Sequence, residues 1–178
     1  MDFTSQLVTG YSALTVGTQV VTLVLAISLF AKPLSSYLAW MKKNALAIMF
    51  AGALLATLGS LYFSEIAGWS PCVKCWYQRI FMYPQVVILL IALVRKDRTV
   101  SYAVLALSLI GLVIAGEHYG EQLNLVLNPA DPAMPCDETG VSCARTPFYH
   151  YGYITIPMMA ASVFLLNALL SWTVIRKK

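Results

Sequence analysis

The chain has 178 residues, of which 59% are apolar and only 11% are charged, with a formal net charge of +4. So little charge leaves too few polar side chains to coat a water-soluble domain, and the composition therefore predicts a membrane protein. Lipid is the expected surrounding of this chain, and no nucleic-acid partner is expected.

Five apolar runs are long enough to cross the hydrocarbon core, which takes about 20 helical residues at a rise of about 1.5 Å each. None of them shows the two-residue alternation of a barrel strand, so helices are predicted. The runs cover roughly residues 13–30, 45–63, 76–94, 100–115 and 153–175. The predicted fold is an all-α membrane bundle. The first run is predicted to be a retained helix, because Asp2 precedes it and the first lysine is Lys32, the reverse of a signal peptide.

The basic residues predict how this bundle sits in the membrane, because cytoplasmic loops accumulate lysine and arginine. Nine basic residues fall in three regions that five crossings place on one side: Lys32, Lys42, Lys43, Arg95, Lys96, Arg98, Arg176, Lys177 and Lys178. The opposite side has Lys74 and Arg145. The N-terminus is therefore predicted to lie outside and the C-terminus in the cytoplasm, with an outer loop over residues 116–152.

All four cysteines fall on the predicted outer side, as Cys72 and Cys75 before the third run and Cys136 and Cys143 in the outer loop. Disulfides persist in such an oxidising compartment. A Cys-x-x-Cys pair closes too short a ring to restrict the unfolded chain much, and such pairs at helix starts are usually redox-active. The pattern favours thiol–disulfide exchange. Two structural disulfides, or a zinc site with four thiolates, remain as alternatives.

Arg79 is a charged residue inside the third apolar run, four residues beyond Cys75. On a helix this spacing places both side chains on one face, about 6 Å apart along the axis. A cation there would stabilise a thiolate, and a charge inside a membrane is costly enough to indicate function. The alternative is an arginine that extends to the lipid headgroups.

The residues around the first cysteine pair carry a family resemblance. Residues 71–80 read PCVKCWYQRI and are followed by Met82-Tyr83-Pro84. This segment resembles the signature of the DsbB/BdbC family of membrane disulfide bond formation proteins. Glu117-His118-Tyr119, followed by a second cysteine pair, is similar to the same family.

The resemblance implies a fold, a reaction and a location. Residues 45–178 would form a DsbB-like four-helix core, and residues 1–44 an extra N-terminal transmembrane helix with a cytoplasmic loop. Family members re-oxidise a DsbA-like thioredoxin-fold thiol oxidase outside the membrane and pass two electrons to the quinone pool, as ubiquinone or menaquinone. The implied location is a bacterial plasma (inner) membrane, crossed several times, with both cysteine pairs on the extracytoplasmic side.

The resemblance also implies roles for single residues. Cys72 and Cys75 match the quinone-coupled pair, with Cys75 nearer the quinone. Cys136 and Cys143 match the pair that exchanges with the partner.

Two further residues match the family's quinone site. Arg79 matches an arginine that supports the quinone interaction, and His118 falls near a histidine implicated in quinone function. No metal is expected.

Two other function classes compete with this one. A reductase that carries electrons outward would need a cytoplasmic dithiol, and the sequence has none in the predicted cytoplasmic regions. A non-enzymatic membrane subunit with two structural disulfides remains the alternative.

Overall fold

The computed structural model describes residues 2–30, 34–129, 136, 138 and 140–176. Within these residues the chain forms five helices: α1 (Phe3–Ser28), α2 (Ser35–Leu61) with a π-helical turn (Tyr62–Ile66), α3 (Val73–Arg95), α4 (Ser101–Leu127) and α5 (Ile156–Ile175). Each is long and apolar enough to cross a membrane. The prediction of an all-α bundle of five membrane helices is therefore confirmed.

Helix α4 is longer than the sequence predicted. Residues 116–127 were expected to belong to the outer loop, but they continue the helix to Leu127, so this part of the prediction is wrong. Ala115, at the end of the predicted run, and His118 and Gln122 in the extension are buried at helical spacing. One face of the extension thus packs against the protein although its composition is polar, and hydropathy alone does not detect such a face.

The bundle packs through close contacts between helices, as expected where lipid removes the hydrophobic drive for helices to associate. Phe164 of α5 is fully buried, and its ring lies directly against the backbone of Gly111 in α4. A Cβ atom at position 111 would overlap this ring, so the glycine permits the close approach of the two helices.

Polar side chains link the helices inside the bundle. Asn167 Nδ2 donates to Gln85 Oε1 over 2.9 Å, and Ser108 Oγ donates to the same oxygen over 3.3 Å, which joins α3, α4 and α5. Gln19 Nε2 of α1 donates to Ser162 Oγ of α5 over 3.0 Å. Gln19, Gln85 and Asn167 are thus interhelical hydrogen-bond partners inside the bundle.

The basic regions meet at one end of the bundle. Arg98 donates to the carbonyl oxygens of Lys42 and Lys43 over 3.0 and 2.9 Å, and Lys42 Nζ donates to the carbonyl of Arg176 over 3.0 Å. Lys32, Lys177 and Lys178 lie outside the described residues. The cysteines lie at the other end, beside the start of α3. The structure thus separates these basic regions from the thiols by the length of the helices.

This separation predicts the labelling of single cysteines in a chain whose own four cysteines are replaced. Lys43→Cys and Lys96→Cys, both at exposed positions, should be protected from a membrane-impermeant thiol reagent added to intact cells. Glu138→Cys in the outer loop is the matched control and should react. Reaction of a cysteine at position 43 or 96 in intact cells would show that the chain has the opposite orientation in the membrane.

Candidate redox site

The first cysteine pair lies at the start of α3. Pro71 favours extended backbone in the residue before it and cannot donate a hydrogen bond, which suits the approach to a helix start. Cys72 has extended backbone (φ −73°, ψ 171°) as the N-cap of α3, and Cys75 lies in the first turn. Their sulfur atoms are 3.4 Å apart and are not bonded to each other. The structure therefore holds this pair as a reduced dithiol.

The second pair, Cys136 and Cys143, forms a disulfide bond. Cys136 is exposed, whereas Cys143 is only 1% exposed. The sulfur atoms of Cys136, Cys143 and Cys72 all lie within 4.8 Å of one another. The structure thus brings together the two pairs that the sequence separates by about 60 residues, with one cysteine of the disulfide exposed and the other buried.

His118 connects the two pairs from α4. Gln78 Nε2 lies 2.9 Å from His118 Nδ1, and because the amide nitrogen carries only hydrogens it donates to that ring nitrogen. The ring proton is then on Nε2, which lies 3.1 Å from the carbonyl oxygen of Cys143 and 3.6 Å from Cys72 Sγ. His118 therefore donates toward the junction of the two cysteine pairs. The family resemblance associates His118 with quinone function, and that role stays a prediction.

Gln78 is a site residue to which sequence reasoning gave no role. It is 6% exposed, and it fixes the proton position of His118. The sequence contains one signal for this role, because Gln78 is a polar residue in an apolar run and lies three positions after Cys75. That spacing places it on the cysteine face of the helix, although its partner on α4 could not be read from sequence.

Hydrogen bonds stabilise the thiolate form of Cys72. The hydrogen bond with Cys75, and next the one with His118, hold the pKa of the Cys72 thiol well below its usual range, although burial opposes them. Cys72 at the N-cap of α3 also lies at the positive end of the helix dipole. Cys72 is therefore suited both to attack a disulfide and to leave as a thiolate.

An ion pair joins the helices that carry this dithiol and the histidine. Lys74 Nζ lies 2.8 Å from Glu121 Oε1 and 3.7 Å from Glu117 Oε2. Both glutamates are well exposed, so the pair is worth at most about 1 kcal/mol. It links the first turn of α3 to the outer part of α4.

Arg79 lies one turn deeper in α3 and is 8% exposed. Its Nε donates to Ser60 Oγ over 3.0 Å and its Nη2 to the Ser60 carbonyl over 3.1 Å, and its guanidinium carbon lies 4.8 Å from the Trp76 ring centre. Arg79 is thus held inside the protein by α2 and does not extend to the headgroups. Sequence gave no signal for Ser60 as its partner.

A cavity of about 370 Å³ joins these groups, and we call it the redox cavity. Its wall includes Cys72, Cys75, Arg79 and His118. Aromatic side chains support it, since Phe63 stacks on Trp69 at 4.9 Å and Trp69 lies 5.7 Å from Phe148, measured between ring centres. The two cysteine-bearing segments are thereby held over the end of α2.

The same side chains include possible metal ligands. The ligand atoms of Cys72, Cys75 and His118 lie within 4.8 Å of one another. The predicted zinc alternative needed four thiolates, and the Cys136–Cys143 bond removes two of them in this structure. Thiol–disulfide exchange, by contrast, would use one dithiol and one disulfide, which are the states of the two pairs in this structure.

Comparisons with known proteins agree on one kind of protein. The model of the family described as "Disulfide bond formation protein DsbB" matches residues 42–174. The chain is 40% identical over 124 residues to the SPbeta prophage-derived disulfide bond formation protein B of Bacillus subtilis, covering 70% of this chain and 80% of that protein. It is 43% identical over 126 residues to a probable disulfide formation protein C of Halalkalibacterium halodurans, covering 71% and 89%. Disulfide bond formation protein C of Bacillus subtilis is 42% identical over 127 residues, covering 70% and 89%. No solved structure gives a significant match.

The contact between His118 and Cys72 predicts the pH dependence of alkylation. A lowered pKa keeps Cys72 a thiolate at neutral pH and loses it only as the pH falls through that pKa. His118→Leu removes a donor to the thiolate and should move the midpoint of Cys72 alkylation by iodoacetamide to higher pH by about one unit. Peptide mass spectrometry of the reduced protein across pH measures this midpoint.

His150→Leu is the matched control, because it changes the other histidine of the chain, which packs on Tyr151. Its midpoint should equal that of the wild type. Equal midpoints for both variants would show that His118 does not stabilise the thiolate.

Proposed function

Because the chain belongs to the DsbB family of disulfide bond formation proteins, we propose that it is a membrane thiol oxidase that re-oxidises a DsbA-like thioredoxin-fold oxidase and passes two electrons to a membrane quinone. A role in disulfide bond formation follows from the family itself. The partner, the quinone, the direction of electron flow and the roles of single residues are the proposal.

The observation that carries the proposal is the meeting of three sulfurs, those of Cys72, Cys136 and Cys143, within 4.8 Å of one another. Exchange requires a thiolate to approach a disulfide sulfur, and only small movements are needed from this arrangement. A protein with two purely structural disulfides would gain nothing from placing Cys72 against the Cys136–Cys143 disulfide.

The exposed Cys136 suits attack by a soluble partner. A partner thiolate attacks Cys136 Sγ, the Cys136–Cys143 bond breaks, and Cys143 leaves as a thiolate. The second partner thiolate then attacks the partner's own sulfur in the mixed disulfide, which releases the oxidised partner and a Cys136 thiolate. The partner has lost two electrons, and the loop pair has gained them.

The buried Cys143 suits exchange with the other pair. Its thiolate attacks Cys72 of a Cys72–Cys75 disulfide, and Cys75 leaves. The Cys136 thiolate then attacks Cys143, which restores the loop disulfide and releases Cys72. The products are a Cys136–Cys143 disulfide and a reduced Cys72–Cys75 pair, the same redox state as in this structure.

His118 supports the second exchange. Its Nε2 proton points at Cys72 Sγ and at the carbonyl of Cys143, so it stabilises the leaving Cys72 thiolate and orients the segment that carries the attacking sulfur. Gln78 acts as a positioning residue through His118, because its amide fixes the proton on the nitrogen that faces the sulfurs.

The residues around Arg79 fit a quinone. Arg79 uses Nε and Nη2 for Ser60, and within the described residues its Nη1 group has no hydrogen-bond partner and so can donate to a quinone carbonyl. It lines the redox cavity together with Cys75. A quinone bound there would be the electron acceptor for the Cys72–Cys75 dithiol, with a capacity of two electrons and two protons.

The different exposure of Cys136 and Cys143 predicts the site of partner attachment. A reduced DsbA-like oxidase whose second active-site cysteine is replaced by serine cannot resolve its own mixed disulfide. It should accumulate as an adduct on Cys136, because Cys143 is 1% exposed. Mass spectrometry of the linked peptides identifies the sulfur.

A partner with both cysteines replaced is the control for this trap and should form no adduct. An adduct on Cys143 would reverse the proposed order of the two loop cysteines.

Substitution of Arg79 tests the quinone proposal. Arg79→Leu should raise the apparent KM for quinone by about tenfold, the loss expected when a charged donor no longer meets a carbonyl. The apparent KM of Arg79→Lys should lie between those of the wild type and Arg79→Leu, because lysine restores the charge without the planar guanidinium. The measurement is quinone reduction as a function of quinone concentration, with the partner dithiol in excess. Equal constants in all three proteins would remove Arg79 from the site.

A further inference from the structure

Helix α1 lies outside the part of the chain that matches the family model, which begins at residue 42. It nevertheless lines a second cavity of about 140 Å³, which we call the apolar cavity. Tyr11, Leu14, Thr15 and Thr18 form its α1 side, and residues of α2, α3 and α5 form the rest.

The apolar cavity adjoins the redox cavity. Ser60, Phe63, Arg79 and Ile156 line both. Arg79 therefore lies between the redox cysteines and an apolar space inside the membrane part of the bundle. An apolar cavity of about 150 Å³ can hold a ring the size of benzene. A quinone head with its carbonyl at Arg79 matches this combination of one cation and mostly carbon walls.

Helix α1 is fixed against the core at the level of this cavity. The Tyr11 hydroxyl donates to the Leu55 carbonyl over 3.1 Å, and the Tyr11 ring lies against Gly59, where a Cβ atom would approach it to 2.7 Å. Further along α1, Gln19 bonds Ser162 and accepts a 2.7 Å hydrogen bond from the Tyr153 hydroxyl. These contacts hold the wall in place on both sides of Thr15.

We propose that α1 is a wall of the quinone pocket and that Thr15, which is 6% exposed, sets the room available to the quinone. The inference rests on the proposed quinone function and deepens it. In a four-helix core alone, the space beside Arg79 would lack its α1 side and would open toward lipid. With α1 present, part of the quinone is enclosed by protein, which makes binding depend on residues that the family core does not contain.

The test measures quinone binding rather than turnover. Purified protein in lipid nanodiscs is titrated with a short-chain ubiquinone and a short-chain menaquinone, and binding is followed by quenching of tryptophan fluorescence. Thr15→Phe fills the apolar cavity and should weaken binding of the preferred quinone about tenfold. Val20→Phe adds the same ring to the 55% exposed, lipid-facing side of α1 and should bind as the wild type does.

A second measurement does not depend on how well the variants fold. A quinone that carries an aryl azide on its ring, bound to the wild-type protein and photolysed, should attach to the α1 segment 11–18 as well as to α3. Attachment to α3 and α5 without α1 would overturn the proposal, as would equal affinities of Thr15→Phe and the wild type.

Arg79→Leu separates failure of this inference from failure of the proposed function. If Arg79→Leu loses binding while Thr15→Phe keeps it, α1 is not a wall but the quinone function stands. If the wild type binds neither quinone, the proposed function fails together with the inference.

Discussion

The hydrogen bonds of one buried histidine hold the redox site together. His118 accepts from Gln78 on α3, donates to the carbonyl of Cys143 in the outer segment, and faces the sulfur of Cys72. The ring thereby joins two parts of the chain that are far apart in sequence, the start of α3 and the segment around Cys143. Because Gln78 fixes where the ring proton lies, the contacts that build the site also contribute to stabilising the Cys72 thiolate.

The four cysteines of the candidate site also differ in their exposure and in their depth along the bundle. Cys136 is exposed, Cys143 and Cys72 are buried at the junction, and Cys75 lies in the first turn of a membrane helix close to the cavity that contains Arg79. A dithiol carrier in water and an apolar oxidant in lipid cannot meet directly. In the proposed function, a series of sulfurs ordered from exposed to enclosed would let electrons pass between the two solvents while the intermediates stay covered.

Hydropathy predicted the five helices because lipid leaves a chain few other ways to satisfy its backbone, and the spacing of Cys72, Cys75 and Arg79 located the redox helix. Composition failed at residues 116–127, where a polar helix buries one face against α3 and the outer segment. Ser60 as the anchor of Arg79, and His118 as the link between the cysteine pairs, arise from contacts between distant segments. A single sequence records the residues that make such contacts but not which of them meet.

The contact between Gly59 and Tyr11 has an evolutionary consequence. An additional helix can pack closely on a bundle only where the bundle's surface leaves room for its side chains. Gly59 leaves that room on α2, because it has no side chain where the Tyr11 ring lies. A relative that has no such helix is free of this constraint and can carry a larger residue there. The residue at position 59 should therefore vary with the presence of α1, so that a small residue there is expected in relatives that also have this helix.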